Sequence, residues 1–527
     1  MPTIYNQQQK ATSGAGRWGP ASEWRSGAVG PPRLNMLNNV RRLSRQLFAY
    51  GTADVFVLAI SFLLLPIYTR VLSPREYGAL ALLLVVEAVL RIVSRWGLDA
   101  ALLRLYYECP DEERRKTLAG TIAGFIALAN GLISALLLVL AVPMNLALFD
   151  SLEFIWPYRL LIVNGFLSTF LFLPFTLLRI QERARLFATL NFSQSFGTIV
   201  LRLLFVVFLR LGLFGILFAD VVMTLVLLIA MSRMLRSMMV WHISMAQLRE
   251  ALRYGFPYVP SGVLTHVMGM GDRFVLGMFM PLRDVGLYLI AASVAALIKY
   301  FPVAFDVAWT PFAYDSMQRR DAPELFARMA TYAFAILAVL LVALSGLAPP
   351  LMELVLPPTY REVGPLVPIL ALAMAVQTVR SVPGTSLNIA KKTSVYPTVT
   401  AVGAILSTSA YFALIPRFGT YGAAFALLIS QILTTALMIY LAQRVYRIPY
   451  ELGRLAKVVA ASAVTYGAMM TMASGSTWRT VAIRLGLLAL FPVGLMVLRF
   501  LRPHELADVR KLIASLRRTA EPVASLP

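Results

Sequence analysis

Long apolar segments, each about twenty residues, follow one another through most of this 527-residue chain, and the turns between them repeat about 208 positions apart. A bilayer core about 30 Å thick needs roughly 20 apolar residues in a helix rising 1.5 Å per residue. Only structures that satisfy their own backbone N–H and C=O groups survive there, so such a chain folds as a bundle of spanning helices. Pro74-Arg75-Glu76-Tyr77-Gly78 joins two of the segments, and Leu282-Arg283-Asp284-Val285-Gly286 joins two more, its glycine 208 residues on. Ile180-Gln181-Glu182-Arg183 answers Ile389-Ala390-Lys391-Lys392 at an offset of 209, and Leu213-Phe214-Gly215 answers Thr420-Tyr421-Gly422 at 207. Three matches at nearly one spacing point to an internal duplication.

Hydrophobic residues make up 59% of the chain and charged residues 14%, well under the quarter or so of soluble domains. The net charge of +22 is scattered in short basic runs between apolar segments, with no nucleic-acid recognition motif, so it reads as membrane orientation and not nucleic-acid binding. The single Cys109 rules out an internal disulfide framework. The first 35 residues are polar, rich in Gly, Pro, Gln and Ser, and lack the apolar core of a signal peptide. They read as a disordered cytoplasmic tail, with Met36 as an alternative start.

About fourteen transmembrane helices are predicted, near 46–69, 77–103, 117–141, 156–178, 187–209, 213–232, 255–281, 284–310, 327–347, 363–388, 394–415, 420–442, 457–473 and 480–500. With the N-terminus inside, about 33 of the 48 Lys and Arg fall on the cytoplasmic side and about 9 on the outer side, which predicts both termini in the cytoplasm. The fold class expected is an all-α integral membrane protein. It comprises a tail over 1–43, an N-lobe of six spans over 44–236, a C-lobe over 237–446, two further spans over 447–501 and a tail over 502–527. Six spans is an even number, so the copies enter the membrane in one direction and are related by a pseudo-twofold axis along its normal. Outer connections read as short throughout, the longest from about Ala348 to Glu362, which leaves no room for an extracytoplasmic catalytic domain. Tyr106, Tyr107, Trp156 and Tyr158, at span ends, read as interface anchors.

Ionisable residues at bilayer depth cost about 2.5 to 3.5 kcal/mol each on insertion scales, so they face a bundle interior or a water-filled cavity. Glu87, Arg91, Arg95 and Asp99 stand four apart in the second span and form one stripe, with Glu87 in the favourable order before Arg91. Arg91 lies 208 residues before Lys299, which shares a helical face with Asp306 in the eighth span. The seventh span holds His266 and the Asp272-Arg273 pair, the fifth Arg202 and the tenth Arg380. Arg91, Lys299 and Arg380, followed by Arg95, Arg202 and Arg273, are the candidate substrate-binding cations. Asp54, Glu87, Asp220 and Asp306 are candidates for binding a coupling ion or for neutralising nearby bases. Simpler roles exist for several: Arg95 and Asp99 can snorkel to the surface, Asp272-Arg273 can be a structural pair, and His266 can bond a backbone carbonyl.

Leu252-Arg253-Tyr254-Gly255-Phe256-Pro257-Tyr258-Val259-Pro260-Ser261 leads into Gly271-Asp272-Arg273-Phe274-Val275-Leu276-Gly277 and then Asp284-Val285-Gly286-Leu287-Tyr288. With Leu65-Pro66-Ile67-Tyr68-Thr69-Arg70 and Glu76-Tyr77-Gly78, this resembles the polysaccharide-transporter family of oligosaccharide flippases. That family lies within the multidrug, oligosaccharidyl-lipid and polysaccharide exporter superfamily. The resemblance implies two six-helix lobes around a central cavity that flips lipid-linked oligosaccharide across the bacterial inner membrane by alternating access. It implies membrane lipid, and a polysaccharide polymerase with its export machinery, as partners. A charged undecaprenyl-diphosphate head cannot cross hydrocarbon unaided, and intramembrane Arg and Lys supply hydrogen bonds and compensating charge. A cation-coupled multidrug exporter of the same superfamily would favour acidic cavity residues instead. A membrane glycan polymerase or ligase would need a sizeable outer loop bearing its catalytic groups. No GxSxG, HExxH, CxxC or P-loop occurs, so no catalytic residue, metal or cofactor is expected.

Overall fold

Ser73 opens the first complete helix of the computed structural model, α1 (Pro74–Arg95). Its hydroxyl accepts from the Glu76 backbone at 3.2 Å while the Glu76 carboxylate accepts from the Ser73 N–H at 2.8 Å, a capping box followed by proline at the first helical position. Residues 64–240, 242–472 and 477–502 are described, all within the compact unit Ala53–Pro527. The tail over 1–43, most of the first expected span with Asp54, and the tail from 503 lie outside the described residues.

Among the described residues all regular structure is helical. After α1 come α2 (Leu98–Glu108), α3 (Glu112–Val139), α4 (Ala141–Phe149), α5 (Ile155–Thr169), α6 (Phe172–Ile180), α7 (Ala184–Arg202) and α8 (Gly212–Met238). The second half holds α9 (Met245–Gly255), α10 (Tyr258–Phe279), α11 (Leu282–Ala295), α12 (Tyr300–Ser316), α13 (Ala322–Val355), α14 (Leu366–Thr378), α15 (Ser381–Ile389) and α16 (Val395–Val445). α17 (Leu452–Thr471), α18 (Thr477–Leu488) and α19 (Leu490–Val497) follow.

Ten helical segments of the described residues are long and apolar enough to cross a membrane. One of them, the 51-residue α16, would run about 77 Å if straight, over twice a bilayer core. It breaks at Gly419 (φ 57°, ψ −131°), between the positions of the eleventh and twelfth expected spans. α10 and α17, at the positions of the seventh and thirteenth, are helices of 22 and 20 residues outside that set of ten. The third expected span ends where the helix does, at Leu140, and the connection that follows it holds a short helix of its own, α4. Tyr158 corrects an expectation, being fully buried in the main core, whereas Tyr107 and Trp156 are exposed as anchors would be.

The duplication recurs in backbone detail. α6 and α15 are nine residues each, offset by 209, and each follows a break in its span, at Phe170 and at Val379. Both carry one skeleton, with Pro174, Thr176, Leu178 and Ile180 answering Pro383, Thr385, Leu387 and Ile389. Both end on a left-handed residue, Glu182 (φ 54°) and Lys391 (φ 56°). The next N–H then bonds back in Schellman fashion, Arg183 to Leu178 at 3.0 Å and Lys392 to Leu387 at 2.9 Å. The ion pairs Arg75–Glu153 (3.1 Å) and Arg283–Glu362 (3.0 Å) match at offsets of 208 and 209.

The two copies meet at their repeated glycines, where α1 packs along α11 and α10. A Cβ on Gly78 would lie 1.8 Å from the Leu282 carbonyl oxygen, and one on Gly286 would lie 2.0 Å from that of Pro74. Tyr360 spans the same seam, donating from its hydroxyl to the Leu72 carbonyl at 2.6 Å and setting its ring edge-on to Tyr77. At the far end of α1, left-handed Gly97 (φ 67°) and Gly255 approach in the same reciprocal way: a Cβ added to either would lie 2.0 or 2.6 Å from the other's carbonyl oxygen. Replacing either Gly78 or Gly286 by Val should cost about 1 to 3 kcal/mol of stability through overpacking against backbone that cannot rotate away. Thermal unfolding of the purified protein checks this, with Gly453→Val, where an added Cβ meets nothing within 4 Å, as the control expected to shift far less.

Candidate functional site

A polar cavity of about 710 Å³ lies among α1, α2, α5, α6, α7 and α8, all in the first half of the chain. Glu87, Arg91 and Arg95 of α1 line it, and Asp99 of α2 continues their stripe across the break at Trp96 and Gly97. Arg91 is hydrogen-bonded to Glu87, and Arg95 pairs with Asp99 at 3.6 Å. Opposite, α7 presents Asn191, Gln194, Thr198 and Arg202 at spacings of three, four and four. Arg202 binds Asp220 of α8 through two parallel hydrogen bonds, 2.9 and 2.8 Å, a fork-to-carboxylate geometry that holds both planes. The helix then widens into a π-helical segment, Leu203–Phe208.

Further polar groups, interspersed with apolar ones, line the remainder of the wall. Asn164 and Ser168 come from α5, Thr176 and Arg179 from α6, and Thr224 from α8, whose hydroxyl donates to the Asn164 side-chain oxygen at 2.8 Å. Phe175 and Phe187 meet edge-on at 5.4 Å beside them. Four arginines and three carboxylates thus share one cavity, among hydroxyl and amide groups able both to donate and to accept. Searching the spans for charge alone overlooks most of this lining. The signal available was the three-and-four spacing of Asn191, Gln194, Thr198 and Arg202, and that of Phe172, Phe175, Thr176 and Arg179.

The other candidates stand elsewhere. Lys299, Arg380, Arg273 and Asp306 belong to the second half, and none lines this cavity. Lys299 ends a 3₁₀ stretch, Ala296–Lys299, so its seven-residue spacing to Asp306 crosses a change of helix type. Arg380 sits in the break between α14 and α15 and donates to Gln431, while Asp306 accepts from the Ser381 hydroxyl at 3.3 Å. Asp272 is buried and accepts from the Tyr288 hydroxyl at 2.7 Å and from the Arg273 backbone N–H at 2.8 Å, not from the Arg273 guanidinium. His266 Nδ1 lies 3.2 Å from the Gly262 carbonyl oxygen, its simpler role. Among the described residues no three His, Cys, Asp or Glu side chains gather where they could hold a metal ion.

Residues 67–301 match the family described as "Polysaccharide biosynthesis protein". No curated protein matches the chain. Among solved structures it is similar to the lipid II flippase MurJ in an inward closed conformation, at 12% identity and a TM-score of 0.67, over 84% of this chain and 97% of that one. It is also similar to an inward-facing multidrug resistance MATE family transporter of the MOP superfamily, at 16% identity and a TM-score of 0.59, over 78% and 95% of the two chains. A mutant of the Vibrio cholerae MATE transporter VcmN matches at 16% identity and a TM-score of 0.53, over 77% and 97%. These structures are of a flippase and of transporters, not of enzymes. Residues 67–301 thus match a polysaccharide biosynthesis family, and the chain as a whole shares the multi-pass helical fold of these membrane transporters.

Proposed function

We propose that the protein flips lipid-linked oligosaccharide of the undecaprenyl-diphosphate type across the bacterial inner membrane by alternating access, with both termini in the cytoplasm. One observation carries this reading: a single cavity inside the bundle joins arginines to a wall of amides and hydroxyls. Its volume falls within the roughly 300 to 1,000 Å³ usual for ligand pockets. Arginine forks suit phosphate oxygens, and Asn, Gln, Ser and Thr suit sugar hydroxyls. The excess of arginine over carboxylate favours an anionic head group over a cationic drug.

In this reading Arg91, Arg95 and Arg202 bind the head group in the first half, and Lys299, Arg380 and Arg273 serve it in the second half at another stage of the cycle. Asp54, Glu87, Asp220 and Asp306 are the candidates for ion coupling. The lipid chain stays in hydrocarbon. An apolar groove of about 530 Å³ suits it, lined by Leu65 and Pro66 near the first-half seam and by Val294, Ile298, Leu344 and Leu351 from the second half. The flipped unit would pass to a polysaccharide polymerase and export machinery, as in O-antigen or exopolysaccharide assembly.

Transport of fluorescent undecaprenyl-diphosphate oligosaccharide in proteoliposomes tests the reading. The wild type should move it and should not move ethidium; ethidium movement without lipid-linked glycan movement would favour the multidrug reading. Exchanging Arg202→Gln together with Asp220→Asn removes both charges while keeping hydrogen-bonding groups, so it should spare folding yet lower transport about tenfold. Full activity of that double variant combined with Arg91→Gln would take the cavity off the transport path. Asn191→Leu with Gln194→Leu should weaken binding of the glycan-bearing lipid several-fold and leave undecaprenyl diphosphate binding unchanged, as equilibrium binding in nanodiscs would reveal.

A further inference from the structure

We infer that Arg179, at the end of α6, is the cavity's uncommitted cation and the residue that grips the anionic group of the transported head; this rests on the proposed function. Ion pairing singles it out. Arg91 is held by Glu87, Arg95 by Asp99 at 3.6 Å and Arg202 by Asp220 at 2.8 Å, which uses all three cavity carboxylates. Among the described residues the Arg179 guanidinium has neither a carboxylate nor a hydrogen-bond partner, though it lines the same cavity and is exposed to it. A ligand anion meeting Arg91, Arg95 or Arg202 must compete with a carboxylate already in place. At Arg179 it meets five unused donors in a planar fork.

The backbone presents this side chain firmly. Phe172, Phe175, Thr176 and Arg179 share the cavity-lining face of α6, while Leu173, Leu177 and Ile180 pack with Leu98, Leu102 and Leu105 in an apolar cluster. The Schellman closure at Glu182 fixes the end of the helix just beyond.

The second copy of the repeat supplies an internal control. α15 has the same length, the same Pro-x-Thr-x-Leu-x-Ile skeleton and the same left-handed end, yet Asn388 stands where Arg179 does. Asn388 accepts from the Tyr396 hydroxyl at 3.2 Å. This local fold therefore forms without a cation at that position, and Arg179 carries a charge that its helix does not need. The group it receives is an oxyanion, either a phosphate of the lipid diphosphate or a carboxylate on an acidic sugar, both of which fit a guanidinium fork.

The test is equilibrium binding by the full-length protein in nanodiscs of three probes: sugar-free undecaprenyl diphosphate, undecaprenyl-diphosphate-linked neutral disaccharide, and a lipid-free oligosaccharide bearing glucuronate. Arg179→Asn, the residue the second copy already accommodates, should weaken binding at least tenfold with the unfolding temperature unchanged, and Arg179→Lys should recover part of the loss. Arg183→Asn, in the turn beyond α6 and outside the cavity lining, should stay within twofold of wild type. Loss on the two lipid probes identifies the phosphate, and loss on the glucuronate probe alone identifies the sugar carboxylate. Wild-type binding that Arg179→Asn leaves within twofold on every probe overturns the inference and spares the proposed function. Wild type that binds none of the three overturns both.

Discussion

The contact on which this bundle depends is backbone against backbone, where the two copies of the repeat meet. Gly78 and Gly286 each sit so close to the other copy's helix start that a single added carbon would collide with a carbonyl oxygen. Between membrane helices there is no hydrophobic driving force, because lipid tails are as apolar as leucine. Close approach over small residues supplies dispersion contacts in its place. The second reciprocal pair, Gly97 and Gly255, repeats the arrangement at the far end of α1, so one helix of the first half is held at both ends by the second half. Everything that lines the cavity from α1 and α2 takes its position from this anchored helix.

Charge in the cavity follows a related economy. An isolated guanidinium among apolar helices is costly, whereas one beside a carboxylate is largely compensated. Glu87, Asp99 and Asp220 do this for three arginines, which keeps a polar interior compatible with folding. The same pairing limits how freely those arginines can meet a ligand. In the proposed reading the cavity is therefore more discriminating than a count of its cations suggests, with its neutral amides and hydroxyls left to meet the sugar.

Much of this was legible in the chain itself. Apolar length marked the helices, the 208-residue spacing marked the copies, and the four-residue spacing of Glu87, Arg91, Arg95 and Asp99 marked one wall of the cavity. The Pro-x-Thr-x-Leu-x-Ile skeleton of α6 and α15 was also there to be read, but among apolar segments such matches stand out only once two helices of identical length display them. Tyr158 looked like an interface residue from its place near a span end, and only its neighbours show that the ring turns into the core.

Hydropathy and repeat spacing are properties of the chain read locally, so the sequence by itself determined that helices form, where they lie and that the halves are copies. Which charges share a space depends on how helices are rotated against their neighbours. Breaks at Trp96 and Gly97, at Phe170, at Ala296–Lys299 and at Val379 reset that rotation within single spans. Tertiary structure alone therefore decided that Arg91, Arg95, Arg179 and Arg202 line one cavity. It also decided that Lys299, aligned with Arg91 in the repeat, stands apart from them in the other half.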